Sequence, residues 1–137
     1  MIRVMTCGTF DLFHIGHLNI LKRAKLLGDY LIVGVSGDEL NYKKKGKYSV
    51  YSLNDRMEII KNLKMVDEVF VEKSLEDKKK YILDNNIDIF VIGDDWKGKF
   101  DELNNYCKVI YLPRTKGIST TDTINKINYK KITLLKI

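Results

Sequence analysis

The chain has 137 residues, of which 45% are hydrophobic and 31% are charged, and its formal net charge is +6. These values are typical of one globular domain with its own core. No apolar run approaches the roughly 18 residues that a membrane span needs, and the start MIRVMTCGTF lacks the apolar segment of a signal peptide. We therefore expect a cytoplasmic protein without membrane insertion. Cys7 and Cys107 stand alone in apolar runs, which predicts buried thiols rather than a disulfide.

The positive charge suits nucleic acid, an anionic surface or a small polyanionic substrate. Its densest stretch is YKKKGKYS, residues 42–49, whereas elsewhere Lys and Arg alternate with Asp and Glu. No combined aromatic and basic RNA-binding signature is present, so we expect no nucleic-acid partner. Residues 42–49 are either a solvated loop or a mobile basic flap that closes over phosphates. The concentration of charge beside the predicted site favours the flap.

Strand-like apolar runs and amphipathic helical patterns alternate along the chain. The predicted strands cover residues 1–7, 30–36, 66–72, 87–93 and 107–113. The predicted helices cover residues 15–27, 53–63, 75–86 and 119–127, with a polar loop over 37–52 and a loop with a short helix after 93. This order predicts an α/β, Rossmann-like three-layer sandwich around a five-stranded parallel sheet. We predict a domain over 1–127 and a tail over 128–137, for which helix, strand and disorder all stay open.

Both histidines fall in the segment GTFDLFHIGH, residues 8–17, directly after the first predicted strand. His14 and His17 are three residues apart at the start of a predicted helix, so they share one face. A helix N-terminus attracts anions, and imidazole N–H groups donate to phosphate oxygens. Gly16 keeps this face open, and Gly8 allows a ligand to approach the backbone. The alternatives are two structural histidines or an HxxH zinc site, although a catalytic zinc usually has three protein ligands and no third histidine exists.

A second candidate phosphate site, RTKGISTT at residues 114–121, follows the fifth predicted strand. Ser119 and Asp122 match the capping-box pattern, so a helix cap alone is one interpretation. In a parallel sheet, however, this helix start lies at the same edge as the two histidines. Two helix N-termini and Arg114 at one crevice indicate a polyphosphate ligand.

The segment GDDWKGKF, residues 93–100, follows the fourth predicted strand. Asp94 and Asp95 are candidates for nucleotide recognition, and Lys99 is a candidate for holding a phosphate. Trp96 either stacks on a ligand or packs against the domain.

Together, GTFD at residues 8–11, HIGH at 14–17 and RTKGISTT at 114–121 resemble the cytidylyltransferase family of the HxGH nucleotidyltransferase superfamily. The similarity extends to about Ile127 and includes AKLLGDYLIVGVS, NNIDIFVIGDDWKGKFD and VIYLPRTKGISTT. HxGH is shared by many superfamily members, whereas GDDWKGKFD with RTKGISTT is far more specific.

The resemblance implies a nucleotidyltransferase-type fold, a homodimer, and the reaction CTP + sn-glycerol 3-phosphate → CDP-glycerol + pyrophosphate. The acceptor phosphate would attack the α-phosphate of CTP in line, without a covalent enzyme intermediate. The product would supply teichoic-acid-like or capsular polymers. The resemblance also implies Mg²⁺ that bridges the CTP phosphates and has few protein ligands of its own.

The resemblance further implies roles for individual residues. The predicted catalytic residues are His14, His17, Lys44, Lys47 and Arg114, with Lys45 as an alternative to Lys44. The predicted nucleotide-binding residues are Gly8, Thr9, Phe10, Asp11, Gly16, Asp94, Arg114, Thr115, Ile118, Ser119 and Thr120. The predicted acceptor-binding residues are Lys44, Arg56, Lys64, Asp95, Trp96 and Lys99. Two positions depart from the pattern, since Lys64 replaces an arginine near the nucleotide and Leu75 replaces an aromatic residue on the acceptor side.

Three alternatives stay open. The same chemistry could act on phosphoethanolamine, phosphocholine or a sugar phosphate. A more distant possibility is adenylyl transfer of the FAD-synthetase type. A non-catalytic nucleotide- or RNA-binding module is the third, and the intact histidines and RTKGISTT segment disfavour it.

Overall fold

The computed structural model describes the backbone of residues 1–135 and the side chains of residues 1–130. The strands are β1 (Arg3–Gly8), β2 (Tyr30–Ser36), β3 (Glu68–Glu72), β4 (Ile89–Gly93) and β5 (Lys108–Leu112). The helices are α1 (Ile15–Leu26), α2 (Asp38–Lys45), α3 (Leu53–Lys61), α4 (Lys78–Asp84) and α5 (Thr120–Leu135). All strand pairs are parallel, in the order β3-β2-β1-β4-β5.

Alternate residues of the central strands enter two separate apolar clusters. Val4 of β1 packs in a cluster with Leu21 of α1 and Ile60 of α3. Its neighbour Met5 faces the other side, in a cluster with Ile82 of α4. Because helices cover both faces of the sheet, the predicted Rossmann-like three-layer sandwich is confirmed. Each fully buried aliphatic side chain of this kind contributes about 1.5–3 kcal/mol to stability.

The polar stretch 37–52 was predicted to be a loop, but it contains α2. The helix has Asp38 in its first turn and is closed by Gly46, whose φ of 70° is left-handed. Within α2, only Leu40 and Asn41 are buried. Because so few residues are buried, the sequence of α2 has no hydrophobic repeat of helical period. This explains why the stretch was wrongly predicted to be a loop.

Two other predicted elements differ from the structure. The predicted helix over 75–86 is divided into a 3₁₀ turn, Leu75–Asp77, and α4. The closing helix does not end at residue 127, because α5 continues to Leu135 and includes most of the predicted tail. Residues 136–137 of that tail lie outside the described residues. The predicted domain boundary at residue 127 stays a prediction.

Both cysteines are free thiols, as predicted. Cys7 is buried and Cys107 is half-buried, and burial raises the pKa of each thiol. None of the described helices is long and apolar enough to cross a membrane.

The order of the strands creates a crevice between β1 and β4. From β1 the chain passes through α1 to β2 on one side, whereas from β4 it continues to β5 on the other side. Such a reversal of strand order leaves space beyond the carboxyl ends of the two central strands, where open α/β sheets bind ligands. Here these ends are Gly8 and Gly93.

Candidate active site

A cavity of about 730 Å³ opens at the carboxyl ends of β1 and β4. This volume lies within the range of ligand-binding pockets, roughly 300–1,000 Å³. Its walls are the loop after β1, the first turns of α1 and α5, the turn after β4 and the loop after β5. Fourteen of the predicted site residues line it: Gly8, Thr9, Phe10, Asp11, His14, Gly16, His17, Asp95, Trp96, Arg114, Thr115, Ile118, Ser119 and Thr120.

His14 and His17 cap the N-terminus of α1 with their own side chains. Nδ1 of His14, the N-cap residue, accepts from the backbone N–H of Gly16 at 3.1 Å. Nδ1 of His17 accepts from the backbone N–H of His14 at 3.2 Å. The two rings stack with their centroids 3.7 Å apart. The histidines thus satisfy backbone donors that a helix start otherwise leaves without intrahelical partners.

These hydrogen bonds decide which nitrogen of each neutral ring carries the proton. Because each Nδ1 accepts a backbone proton, a neutral ring carries its own proton on Nε2. Burial and the nearby Arg114 lower the pKa of His14. Burial, His14 and Lys45 lower the pKa of His17 to about 3. Both histidines are therefore neutral near pH 7 and retain an Nε2–H donor that the helix cap does not use.

Gly16 is required by the packing of the helix start. A Cβ at this position would lie 2.9 Å from Cε1 of His14 and 3.1 Å from Cγ2 of Ile118. The missing side chain therefore allows the His14 ring to fold over the helix end and the loop after β5 to approach it.

Asp11 lines the cavity, but its carboxylate is occupied by backbone donors. It accepts from the N–H groups of Leu12, Val50 and Tyr51 at 3.1, 2.7 and 2.9 Å. Asp11 thereby fastens the residues that follow the basic segment, residues 42–49, to the loop after β1. Phe10, beside it, has a left-handed φ of 54° and places its ring edge against His17.

Ser119 and Thr120 form the start of α5. Oγ of Ser119 accepts from the N–H of Asp122 at 3.0 Å, so the predicted cap is present. The hydroxyl proton of Ser119 is still available for a ligand. Thr120 donates its hydroxyl proton to the Asp11 carbonyl at 2.7 Å. A phosphate at Thr120 would thus be bound by the backbone N–H, which at a first helical turn has no intrahelical partner.

The basic segment brings Lys45, not Lys44 or Lys47, to the cavity. Nζ of Lys45 lies 3.4 Å from the Thr9 hydroxyl. Lys44 points instead to the end of β2, where it donates to Ser36 at 3.2 Å. Lys47 is exposed and does not line the cavity. Burial lowers the pKa of both Lys44 and Lys45.

Arg56 was predicted to bind the acceptor, but its side chain is fully buried and has other partners. It donates to the carbonyls of Thr9, Ser36 and Tyr51 at 2.8–3.1 Å. It also pairs with the Asp38 carboxylate at 2.7 Å. These contacts join the loop after β1, the end of β2, the start of α2 and the residues that follow the basic segment, so Arg56 supports the walls of the site.

Three other predicted residues do not line the cavity. Lys64 is exposed in the turn before β3, at the opposite edge of the sheet. Asp94 is exposed, whereas the adjacent Asp95 lines the cavity and lies 4.0 Å from Arg114. Lys99 lies 5.4 Å from the ring centre of Trp96. Trp96 lines the cavity and also packs against the core.

Three residues that contact the walls of the site were not predicted. Asn41 is buried; it accepts from the Thr9 hydroxyl and donates to Ser49, both at 3.0 Å. Asn19 and Arg23 of α1 contact the loop after β5. A helical projection would not have found Arg23, since at about 100° per residue it lies about 180° round the helix from His14. No sequence pattern marks Asn41.

The cavity combines two helix N-termini, two neutral imidazole donors and the cations Arg23, Lys45, Arg114 and Lys116. Its carboxylates are few, and that of Asp11 is occupied. This arrangement favours a ligand with several phosphate groups. The parallel fold, the switch-point cavity and the HxGH helix start together define a nucleotide-binding α/β domain.

Comparison with known proteins identifies the family. A sequence profile of the cytidylyltransferase-like family matches residues 5–127. Over 121 residues, the chain is 55% identical to the glycerol-3-phosphate cytidylyltransferase of Bacillus subtilis strain 168, covering 88% of this chain and 93% of that protein. The corresponding enzyme of Staphylococcus aureus is 47% identical, with 88% and 91% covered. The chain belongs to the cytidylyltransferase-like family.

Two further similarities are more distant. An FAD synthase of Thermococcus sibiricus is 42% identical over 136 residues, covering 92% of each chain. The crystal structure of a lipopolysaccharide core biosynthesis protein from Thermoplasma volcanium superimposes with a TM-score of 0.72 and 32% identity, over 85% of this chain and 99% of that one.

Proposed function

We propose that this protein transfers the cytidylyl group of CTP to sn-glycerol 3-phosphate, which gives CDP-glycerol and pyrophosphate. The observation that carries the proposal is the convergence of the α1 and α5 N-termini, with two neutral histidines, on one cavity. The identity of 47–55% to the enzymes of that name from S. aureus and B. subtilis supports CTP and glycerol 3-phosphate as the substrates.

The reaction exchanges one bond at phosphorus for another. An oxygen of the acceptor phosphate forms a bond to the α-phosphorus of CTP, while the bond to the bridging oxygen of pyrophosphate breaks. A phosphate monoester is already a nucleophile, so the step needs no strong base. The protein must therefore hold the reactants in line and stabilise the negative charge that develops on the transferring group.

The histidines supply that stabilisation without a change in their own charge. Both Nε2–H groups donate to oxygens of the CTP phosphates, with His17 nearest the α-phosphate and the leaving oxygen. Because the rings are neutral, they bind a polyanion through directed hydrogen bonds. Removal of one such donor typically lowers kcat by about 10²–10³-fold.

The remaining contacts neutralise the triphosphate. Arg114, the hydroxyl of Ser119 and the N-terminal amides of α5 bind the β- and γ-phosphates. Lys45, beside the Thr9 hydroxyl, reaches the reacting phosphates. The family resemblance implied this role first for Lys44. Lys44 remains a candidate for the acceptor side, since it lies at the end of β2.

Mg²⁺ bound to the CTP phosphates completes the proposal. The described residues contain no cluster of three or more His, Cys, Asp or Glu side chains that could hold a metal ion. This donor set fits an ion whose ligands are mostly phosphate oxygens and water, with Asp11, Asp95 and Asp122 as the carboxylates at the cavity wall. When bound, the ion neutralises charge on the phosphates.

We further propose a cytoplasmic homodimer that supplies CDP-glycerol to teichoic-acid-like or capsular polymers. The free thiols are compatible with a reducing compartment. Light scattering tests the dimer, which requires about twice the chain mass of 16.0 kDa.

The proposed reaction is tested by pyrophosphate release in the presence of Mg²⁺. The assay combines CTP, ATP, UTP or GTP with glycerol 3-phosphate, phosphoethanolamine, phosphocholine, several sugar phosphates or FMN. We expect release only from CTP with glycerol 3-phosphate, and mass spectrometry should detect CDP-glycerol. Release from CTP with another acceptor would keep cytidylyl transfer as the reaction but would replace glycerol 3-phosphate as the acceptor. Release from ATP with FMN would instead support the activity named for the T. sibiricus relative.

A further inference from the structure

Helix α1 donates two side-chain hydrogen bonds, one turn apart, to the loop after β5. Nδ2 of Asn19 donates to the hydroxyl of Thr115 at 3.0 Å. Nη1 of Arg23 donates to the carbonyl of Pro113 at 3.0 Å. Residues 19 and 23 are four apart, so they lie on the same side of the helix. That helix also carries both histidines at its N-terminal end.

The two contacts bracket Arg114. Residues 113–118 form neither helix nor strand, and Gly117 has a left-handed φ of 73°. The Arg114 side chain is about half exposed, and its nearest carboxylate is that of Asp95, 4.0 Å away. The residues on either side of Arg114 are therefore hydrogen-bonded to α1.

We propose that Asn19 and Arg23 are positioning residues that fix Arg114 relative to the two histidines and so determine the affinity for the pyrophosphate part of the nucleotide. This inference rests on the proposed function. A rigid helix that holds both groups avoids part of the ordering cost that a free loop incurs when a ligand binds. The histidines and Arg114 then bind neighbouring phosphates at a fixed separation.

The residues of α1 that pack in the core are different from the two residues that contact the loop. The core contacts of α1 are made by Leu21 and Ala24, both fully buried. Asn19 is half-buried and Arg23 is exposed. Truncation of either polar side chain thus leaves the packing of α1 in place but frees the loop.

The test compares Asn19→Ala, Arg23→Ala and the double variant with Lys22→Ala, an exposed control on the same helix. Calorimetry measures the Kd of inorganic pyrophosphate and of CTP, and steady-state assays measure KM for each substrate. We expect the Kd of pyrophosphate and the KM of CTP to rise about tenfold in the double variant, with smaller increases in the single variants. The KM of glycerol 3-phosphate should not change in these variants, and the Lys22→Ala control should keep the wild-type Kd and KM values.

A double-mutant cycle distinguishes positioning from a direct or structural role. In an Arg114→Ala background, removal of Asn19 and Arg23 should have little further effect on pyrophosphate binding. Arg23→Lys, which keeps a donor, should restore part of the affinity. An unchanged Kd in the double variant, or the same loss with and without Arg114, would overturn the inference.

Pyrophosphate binding also separates this inference from the proposed reaction. If no CDP-glycerol forms but the variants still weaken pyrophosphate binding through Arg114, the inference stands and the proposed reaction fails. If the enzyme makes CDP-glycerol but the variants bind pyrophosphate normally, the inference alone fails.

Discussion

The imidazole rings of His14 and His17 stack 3.7 Å apart, and the His17 ring accepts a hydrogen bond from the His14 backbone. Two rings at this separation cannot both carry a positive charge without strong repulsion. The backbone donors to Nδ1 and the burial of the rings both favour the neutral form. Structural capping and phosphate binding therefore use different nitrogens of the same side chains.

Because Nδ1 of His17 caps the helix and Nε2 binds phosphate, two variants at His17 should measure the two roles independently. Asn resembles the Nδ1 side of the ring, so His17→Asn can keep the acceptor for the His14 backbone but loses the donor to phosphate. We expect kcat to fall at least about 100-fold and the free energy of unfolding to change by less than about 1 kcal/mol. Urea unfolding and the pyrophosphate-release assay measure both quantities.

The complementary variant, His17→Gln, extends an amide donor toward the Nε2 position and loses the cap. It should be destabilised by about 1 kcal/mol but retain more activity than His17→Asn. Equal activities in the two variants would contradict the assignment of separate roles.

The depressed pKa of His17 should make stability depend on pH. The folded pKa is about 3, whereas the unfolded value is about 6.5. Between these values only the unfolded chain binds the proton, so the free energy of unfolding falls as pH decreases. The slope is at most about 1.4 kcal/mol per pH unit for this group. Above pH 6.5 both states are neutral and the effect disappears.

Urea unfolding at pH 7.5, 6.5 and 5.5 measures this slope for the wild type and for His17→Asn, in which the group cannot titrate. The wild type should lose stability more steeply below pH 6.5. Parallel curves for the two proteins would show that His17 keeps an ordinary pKa in the folded state.

The sequence predicted the sheet and much of the cavity because both depend on local patterns. Apolar runs indicated five strands, and parallel strands bring the segments after them to one edge. The orientation of a single side chain depends on how its helix is rotated and on contacts with segments that are distant in sequence. The choice between Lys44 and Lys45 depends on the rotation of α2, a helix without a hydrophobic period. The burial of Arg56 depends on carbonyls from three separate segments, which no pattern within α3 could indicate.

Gly16→Ala should separate helix propensity from site geometry. Alanine within a helix normally stabilises it by about 0.5–1 kcal/mol relative to glycine. Here the new Cβ would approach His14 to 2.9 Å, so the ring must move away from its cap position. We expect stability within about 1 kcal/mol of the wild type but a loss of kcat/KM of at least about tenfold. Lys22→Ala on the same helix is the matched control, and an unaltered kcat/KM in Gly16→Ala would show that the ring position is not critical.

Arg56→Lys tests whether Arg56 supports the site or binds substrate. A lysine has three donors on one nitrogen and cannot reach the Asp38 carboxylate and three carbonyls together. Because the position is fully buried, we expect a loss of about 3 kcal/mol or more in the free energy of unfolding. Urea unfolding measures this loss. A variant of normal stability with a raised KM for the acceptor would support the role predicted from sequence.

The three lysines of the basic segment provide the last test, because the structure gives each a different position. Lys45 lies at the cavity beside Thr9, Lys44 contacts Ser36, and Lys47 is exposed. We expect Lys45→Ala to lower kcat about 10²-fold, since it removes a cation beside the transferring phosphate. Lys44→Ala should mainly raise the KM of the acceptor, and Lys47→Ala should have the smallest effect. Steady-state kinetics with each substrate varied measure these changes. A larger loss of kcat in Lys47→Ala than in Lys45→Ala would show that the segment rearranges when substrates bind.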